Sequence, residues 1–160
     1  MSKIKLLMIV FLFAGCSFPD FMIQSQLNDF ERALEEEDVN WIMDQFTDDV
    51  VREIPGGFKF KGKDELRMYW EDLFQSVDNI DVEIIDFVTS GFPPDKLALH
   101  WRWKADVVAK SKYLKFDVVG TTVKFEGMDF NYGSGFKTAR IITIWNTLDM
   151  LQQAGYKVSK

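Results

Sequence analysis

The chain has 160 residues, 47% of them hydrophobic, a size that suits one domain with one core. Its formal charge of −6, with no clustered basic stripe, argues against nucleic acid as a partner. A single cysteine, Cys16, precludes an internal disulfide, and a single histidine, His100, leaves no Cys/His cluster for zinc. No loop of the calcium-binding pattern occurs, so neither a metal nor a cofactor is expected.

The N-terminal stretch MSKIKLLMIVFLFAGCS has a positive start (Lys3, Lys5), an unbroken apolar run from Leu6 to Phe13 and the small pair Ala14-Gly15. That is the anatomy of a secretory signal peptide. The run is shorter than the roughly 20 apolar residues that a membrane-spanning helix needs. Phe13-Ala14-Gly15-Cys16 resembles the bacterial lipobox, with Phe13 where Leu is usual. The resemblance implies lipidation of Cys16. Residues 1–15 would then be a lipoprotein signal, 16–22 a lipid tether and 23–160 the folded domain. With Ser17 rather than Asp after the cysteine, it further implies a protein held in the bacterial envelope, at the outer membrane facing the periplasm.

Beyond the tether, Ile23, Leu27, Phe30 and Leu34 recur at three- and four-residue steps and predict a helix from Ile23 to Glu37. Asp38 is placed to cap a second, short helix, VNWIMDQF. TDDVVREI reads as extended, Pro55-Gly56-Gly57 as a turn and FKFKG as a returning strand. Lys63 to Ser76 predicts a third helix with Leu66, Tyr69, Trp70, Leu73 and Phe74 on a broad apolar face. Four strands follow, DVEIIDFVTS, LALHWRWKADVVA, TTVKFEGMDFNY and KTARIITIW. LDMLQQAG then predicts a short terminal helix stopped at Gly155. Helices segregated from a long antiparallel sheet define an α+β fold.

Strand alternation assigns faces. In LALHWRWKAD, Leu97, Leu99, Trp101, Trp103 and Ala105 share the core side, which turns His100, Arg102, Lys104 and Asp106 to water. In TTVKFEGMDFNY, Val123, Phe125, Gly127, Asp129 and Asn131 share a face. If Gly127 does not mark a bulge, Asp129 is carried inward beside the aromatics, where desolvation would raise its pKa and fit it to donate a proton or a hydrogen bond. In RIITIWN, Ile141, Thr143 and Trp145 alternate with Ile142 and Ile144, so both faces are apolar and both need cover. A second subunit behind the sheet is the simplest second cover, which predicts a homodimer.

The order of FTDDVV, GGFKFKGKDELRMYW, FEGMDFNY and W-x-x-LDMLQQAG resembles the SnoaL-like polyketide cyclase group of the nuclear transport factor two-like superfamily, over about Gln24 to Gly155. The resemblance implies a curved sheet wrapped around three N-terminal helices, a cystatin-like α+β roll with a conical pocket. Residue by residue, the proton-transferring Asp of the cyclases falls at Thr143, and the base Asp of ketosteroid isomerase falls at Ile54, with Glu53 beside it on the opposite strand face. The oxyanion-donating acid falls close to Asp129, which is retained. Tyr69, Trp70, Phe74, Trp101, Trp103 and Trp145 would line the pocket, and Asp129, Asn131 and Thr143 would orient a ligand. Three readings follow: capture of a small amphipathic molecule; isomerase, cyclase or dehydratase chemistry at Asp129, helped by Glu53, Tyr69 or His100; and an assembly module of the envelope using the apolar sheet back.

Overall fold

A computed structural model describes residues 20–114, 119–134 and 136–153. Cys16, the signal segment and Gly155 lie outside the described residues. The first helix, α1, covers residues 20–35, so it starts earlier than the apolar stripe alone suggests. Ile23, Leu27 and Leu34 of that stripe are buried. Asp38 accepts a hydrogen bond from the Trp41 backbone N–H at 3.0 Å and caps α2, Val39–Asp44. The helix gives way at Phe46, which opens strand β1 (Phe46–Ile54). Gly56 and Gly57 take φ of +93° and +83°, which only glycine adopts without strain, and turn the chain into β2, Phe58–Lys61. Helix α3, Gly62–Ser76, follows at once, its first turn closed by Glu65 accepting from the Lys61 N–H.

The remaining described residues form a meander of β3 (Val77–Ser90), β4 (Lys96–Val107), β5 (Thr122–Ser134) and β6 (Lys137–Trp145), followed by α4, Thr147–Gln153. Strand β3 begins directly after α3, earlier than the alternation from Asp81 indicates. Register shifts between Asp78 and Asp81 and between Ile84 and Asp86 scramble its pattern. The six strands form one curved sheet in the order β2-β1-β6-β5-β4-β3. The α+β class is as the sequence predicts, but the sheet is mixed rather than wholly antiparallel. The meander returns β6 alongside β1 in the same direction, so those two strands pair in parallel. Position inside the sheet, between β1 and β5, suits a strand that is apolar on both faces.

The helices cover one face of the sheet. Leu34, Ile42, Leu66, Trp70 and Leu73 from α1 to α3 join Val50, Trp103, Phe125 and Ile141 from the strands in one buried cluster. On that covered face, β4 and β5 pair without a break from Lys96↔Tyr132 to Asp106↔Thr122. Gly127 is therefore no bulge. It is flanked across the sheet by Trp101 and Trp145, and a Cβ there would lie 2.4 Å from the Trp101 ring. The glycine is thus the space into which the indole folds.

Gly127→Ala should force Trp101 off its present seat and cost about 1–3 kcal/mol, as overpacking does. Urea unfolding followed by circular dichroism measures the loss, and a changed indole emission of the folded protein reports the displaced ring.

Candidate functional site

Two cavities lie between the helices and the sheet. The inner one, about 60 Å³, is walled by Leu34 of α1, Tyr69, Trp70 and Leu73 of α3, and Trp101, Trp103, Phe125, Thr143 and Trp145 of β4 to β6. The outer one, about 100 Å³, lies between Ile23, Gln26 and Leu27 of α1, Trp41 and Gln45 at α2, and Leu97, Asn131 and Phe136 at the sheet end. Each exceeds several-fold the roughly 10–15 Å³ that one water needs. Phe30, Arg52, Leu99 and Asp129 border both.

The chemistry gathers at that shared border. Unbroken register carries Asp129 inward, opposite Thr143 on β6 and Leu99 on β4. Its Oδ2 lies 3.8 Å from Nη2 of Arg52, an ion pair too long for a hydrogen bond, with side chains only 14% and 6% exposed. The Arg52 guanidinium sits 4.8 Å from the Trp70 ring centre and 5.1 Å from that of Tyr69. Two π faces and a carboxylate thus offset the desolvation of one cation. Burial pushes the Tyr69 phenol above its ordinary pKa; the Arg52 charge opposes that rise and the Asp129 charge adds to it.

Several buried polar atoms of this region lack hydrogen-bond partners. They are Nε1 of Trp70, Trp101, Trp103 and Trp145, Nε of Arg52, Oγ1 of Thr143 and Oδ1 of Asp129. All belong to residues of the inner wall; among the described residues only Thr47 adds another such atom. Such concentration is unusual in a protein interior, where buried polar groups are nearly always paired. Among the described residues, no His, Cys, Asp and Glu cluster could hold a metal ion.

The remaining residues singled out in the sequence divide by strand face. Asn131 lines the outer cavity rather than the inner one and donates to the Leu97 carbonyl at 3.4 Å. Phe74 borders neither cavity; it stacks behind Trp70 at 5.8 Å, one turn along α3. His100 lies on the outer face, 3.4 Å from Glu126, and does not meet Asp129. Glu53 also points outward, between Lys59 at 3.2 Å and Arg140 at 3.1 Å. Hydrogen bonds from Lys59 and then Arg140 hold its carboxyl below the ordinary glutamate range. Ile54 is core, 5% exposed. Arg52, the neighbour of Asp129, is not among the residues singled out in the sequence. The signal was present: in VVREI, Val50, Arg52 and Ile54 alternate with Val51 and Glu53, and the apolar pair marks the inner face.

The profile of the SnoaL-like domain family matches residues 27–131, which takes in both sides of the Arg52–Asp129 border. The chain belongs to this family of SnoaL-like domains. Solved structures share its fold. A protein of ketosteroid isomerase-like fold from Catenulispora acidiphila, in complex with trimethylamine, is 13% identical, with 82% of this chain and 92% of that one covered and a TM-score of 0.66. TsrD from Streptomyces laurentii is 16% identical, with 83% and 94% covered and a TM-score of 0.69. An epoxide hydrolase of M. tuberculosis is 15% identical, with 80% and 85% covered and a TM-score of 0.62. No curated protein matches the chain.

Removing one partner of the central pair should cost far more than removing both. Arg52→Leu leaves a carboxylate in an apolar wall and should destabilise by about 3 kcal/mol or more, whereas Arg52→Leu combined with Asp129→Leu should recover most of that loss. Urea denaturation of the single and double variants reads the difference. A loss in the double variant equal to the sum of the losses in Arg52→Leu and Asp129→Leu would mean that the charges are not coupled.

Proposed function

We propose that this chain is a bacterial envelope lipoprotein, anchored through an acylated Cys16 at the outer membrane and facing the periplasm, whose SnoaL-like domain captures a small amphipathic molecule. The observation that carries the binding reading is the Arg52–Asp129 pair at the meeting of two cavities. A buried, nearly neutral pair among indoles suits a ligand with an apolar body against Trp101, Trp103 and Trp145 and a polar head at the border. The unpaired groups of the wall are mostly donors, the four indole N–H groups and Arg52 Nε–H, against one carboxylate acceptor. A head bearing carbonyl or ether oxygens matches that surplus. Where the family resemblance puts its proton-transferring acids, this chain has Ile54 and Thr143, and neither side chain can act as a base at neutral pH. That favours capture over turnover.

A second reading, proton transfer by Asp129 as in an isomerase or cyclase, draws on a different feature. Asp129, Tyr69 and Thr143 all border the inner cavity, so a base and two hydroxyl donors stand in one wall. General acid–base assistance of this kind is worth typically 10²–10⁴-fold.

Quenching of the tryptophan emission by a panel of steroids, aromatic ketones and fatty acids separates these readings. On the capture reading, oxygen-bearing apolar compounds bind, Arg52→Gln weakens them about tenfold or more, in line with loss of a charge-assisted hydrogen bond, and no compound is consumed. Turnover of an enolisable ketone or epoxide that disappears in Asp129→Asn would instead establish the enzyme.

The outer sheet face supports a homodimer. Val88, Met128 and Ile144 are 67%, 41% and 54% exposed, and Phe130 and Ile142, paired across β5 and β6, lie among them. A patch of this kind on a monomer calls for a cover. Sedimentation equilibrium should give a dimer that Ile144→Lys converts to monomer; a wild-type monomer would instead leave the patch for another envelope component.

A further inference from the structure

The end of the domain nearest the proposed anchor also borders the outer cavity, where the exposed Gln26, Phe136 and Lys137 line it. Three residues separate Cys16 from the first described residue of α1, Asp20. Even fully extended, that stretch spans no more than about 14 Å. Ile23, Gln26 and Leu27 line the outer cavity, so α1 begins at its mouth and runs inward toward Leu34 in the inner wall. The other side of the mouth is built from two strand connections, which contribute Pro94 between β3 and β4 and Phe136 between β5 and β6. Phe92 and Phe136 meet across these connections edge to face, ring centres 6.0 Å apart. Both are exposed, at 45% and 62%, and Phe21 and Met22 at the start of α1 are 71% and 40% exposed.

We propose that this rim is a membrane-contact surface: Phe92 and Phe136, with Phe21 and Met22, sit in the interfacial layer of the bilayer that holds the anchor, and the outer cavity opens onto lipid. The inference rests on the reading of Cys16 as a lipid anchor, because the short reach from Cys16 is what brings the rim to the bilayer. It specifies the ligand's route: an apolar molecule passes from the acyl layer through the outer cavity to the Arg52–Asp129 border without crossing water. The contact is apolar rather than electrostatic. A chain of formal charge −6 gains nothing from anionic headgroups, whereas exposed aromatic and thioether side chains partition into the boundary between headgroups and acyl chains.

The sole native cysteine makes a clean test possible. Full-length chain is produced in a lipidating bacterial host as Phe92→Cys, Phe136→Cys and Lys124→Cys. Lys124 is exposed near the start of β5, roughly 30 Å along that strand from the rim. Each variant is reacted with a polarity-sensitive NBD label and reconstituted into phosphatidylethanolamine–phosphatidylglycerol vesicles containing doxyl lipid. The expected result is one label per chain, since an acylated Cys16 is unreactive, with blue-shifted emission quenched several-fold more at positions 92 and 136 than at 124. One label per chain with water-like emission at all three positions overturns the membrane-facing rim and leaves the anchor intact. Two labels per chain show a free Cys16, and overturn the anchor and the rim together.

Discussion

The interior of this domain is organised around one charged contact, Arg52 against Asp129. Two unit charges taken out of water cost several kcal/mol each unless they are matched by one another and by polarizable surroundings. Here the match comes from three elements at once: β1 supplies the cation, β5 the anion, and α3 the two ring faces of Tyr69 and Trp70 on which the guanidinium lies. The pair forms only if β1, β6 and β5 are adjacent in that order and α3 is laid across them. It therefore ties the parallel junction of the sheet to its helical cover.

The same contact lies where the two cavities meet, with Arg52 and Asp129 bordering both. Space remains on either side, toward the indoles of β4 to β6 and toward the start of α1. Gly127 contributes by omission, since its missing Cβ lets the Trp101 ring fold over the strand. The wall thereby accumulates indole N–H groups that the fold itself does not pair. These groups favour an occupant that can accept from them.

Much of this was legible in the sequence, and what was not has definite causes. The order of helices and strands, the Asp38 cap and the inward set of β4 followed from local spacing and alternation. The inward course of Asp129 followed once Gly127 was known to keep register. The parallel pairing of β1 with β6 could not be read, because it joins strands more than 80 residues apart, as in Arg52↔Ile141, and no local pattern encodes it. The start of β3 was hidden by two register shifts that break period-2 alternation. Phe74 shares the apolar face of α3 with Trp70, and only tertiary packing decides which of them meets a void and which lies behind it.

Arg52 is the instructive omission, because strand parity alone would have found it. The outer face of the sheet carries several ion pairs as well, Arg102 with Glu83 and Glu126, Glu53 with Lys59 and Arg140, all substantially exposed. Exposed pairs of this kind are screened by solvent and contribute little. A charged residue in a strand is commonly read as a marker of the wet face, and on β4 that reading is right. On β1 the neighbours overrule it: Val50 and Ile54 commit their face to the core, and Arg52, between them, goes inside with its charge. Once inside it needs an anion, and Asp129, the one acid that the alternation of β5 turns inward, answers that need.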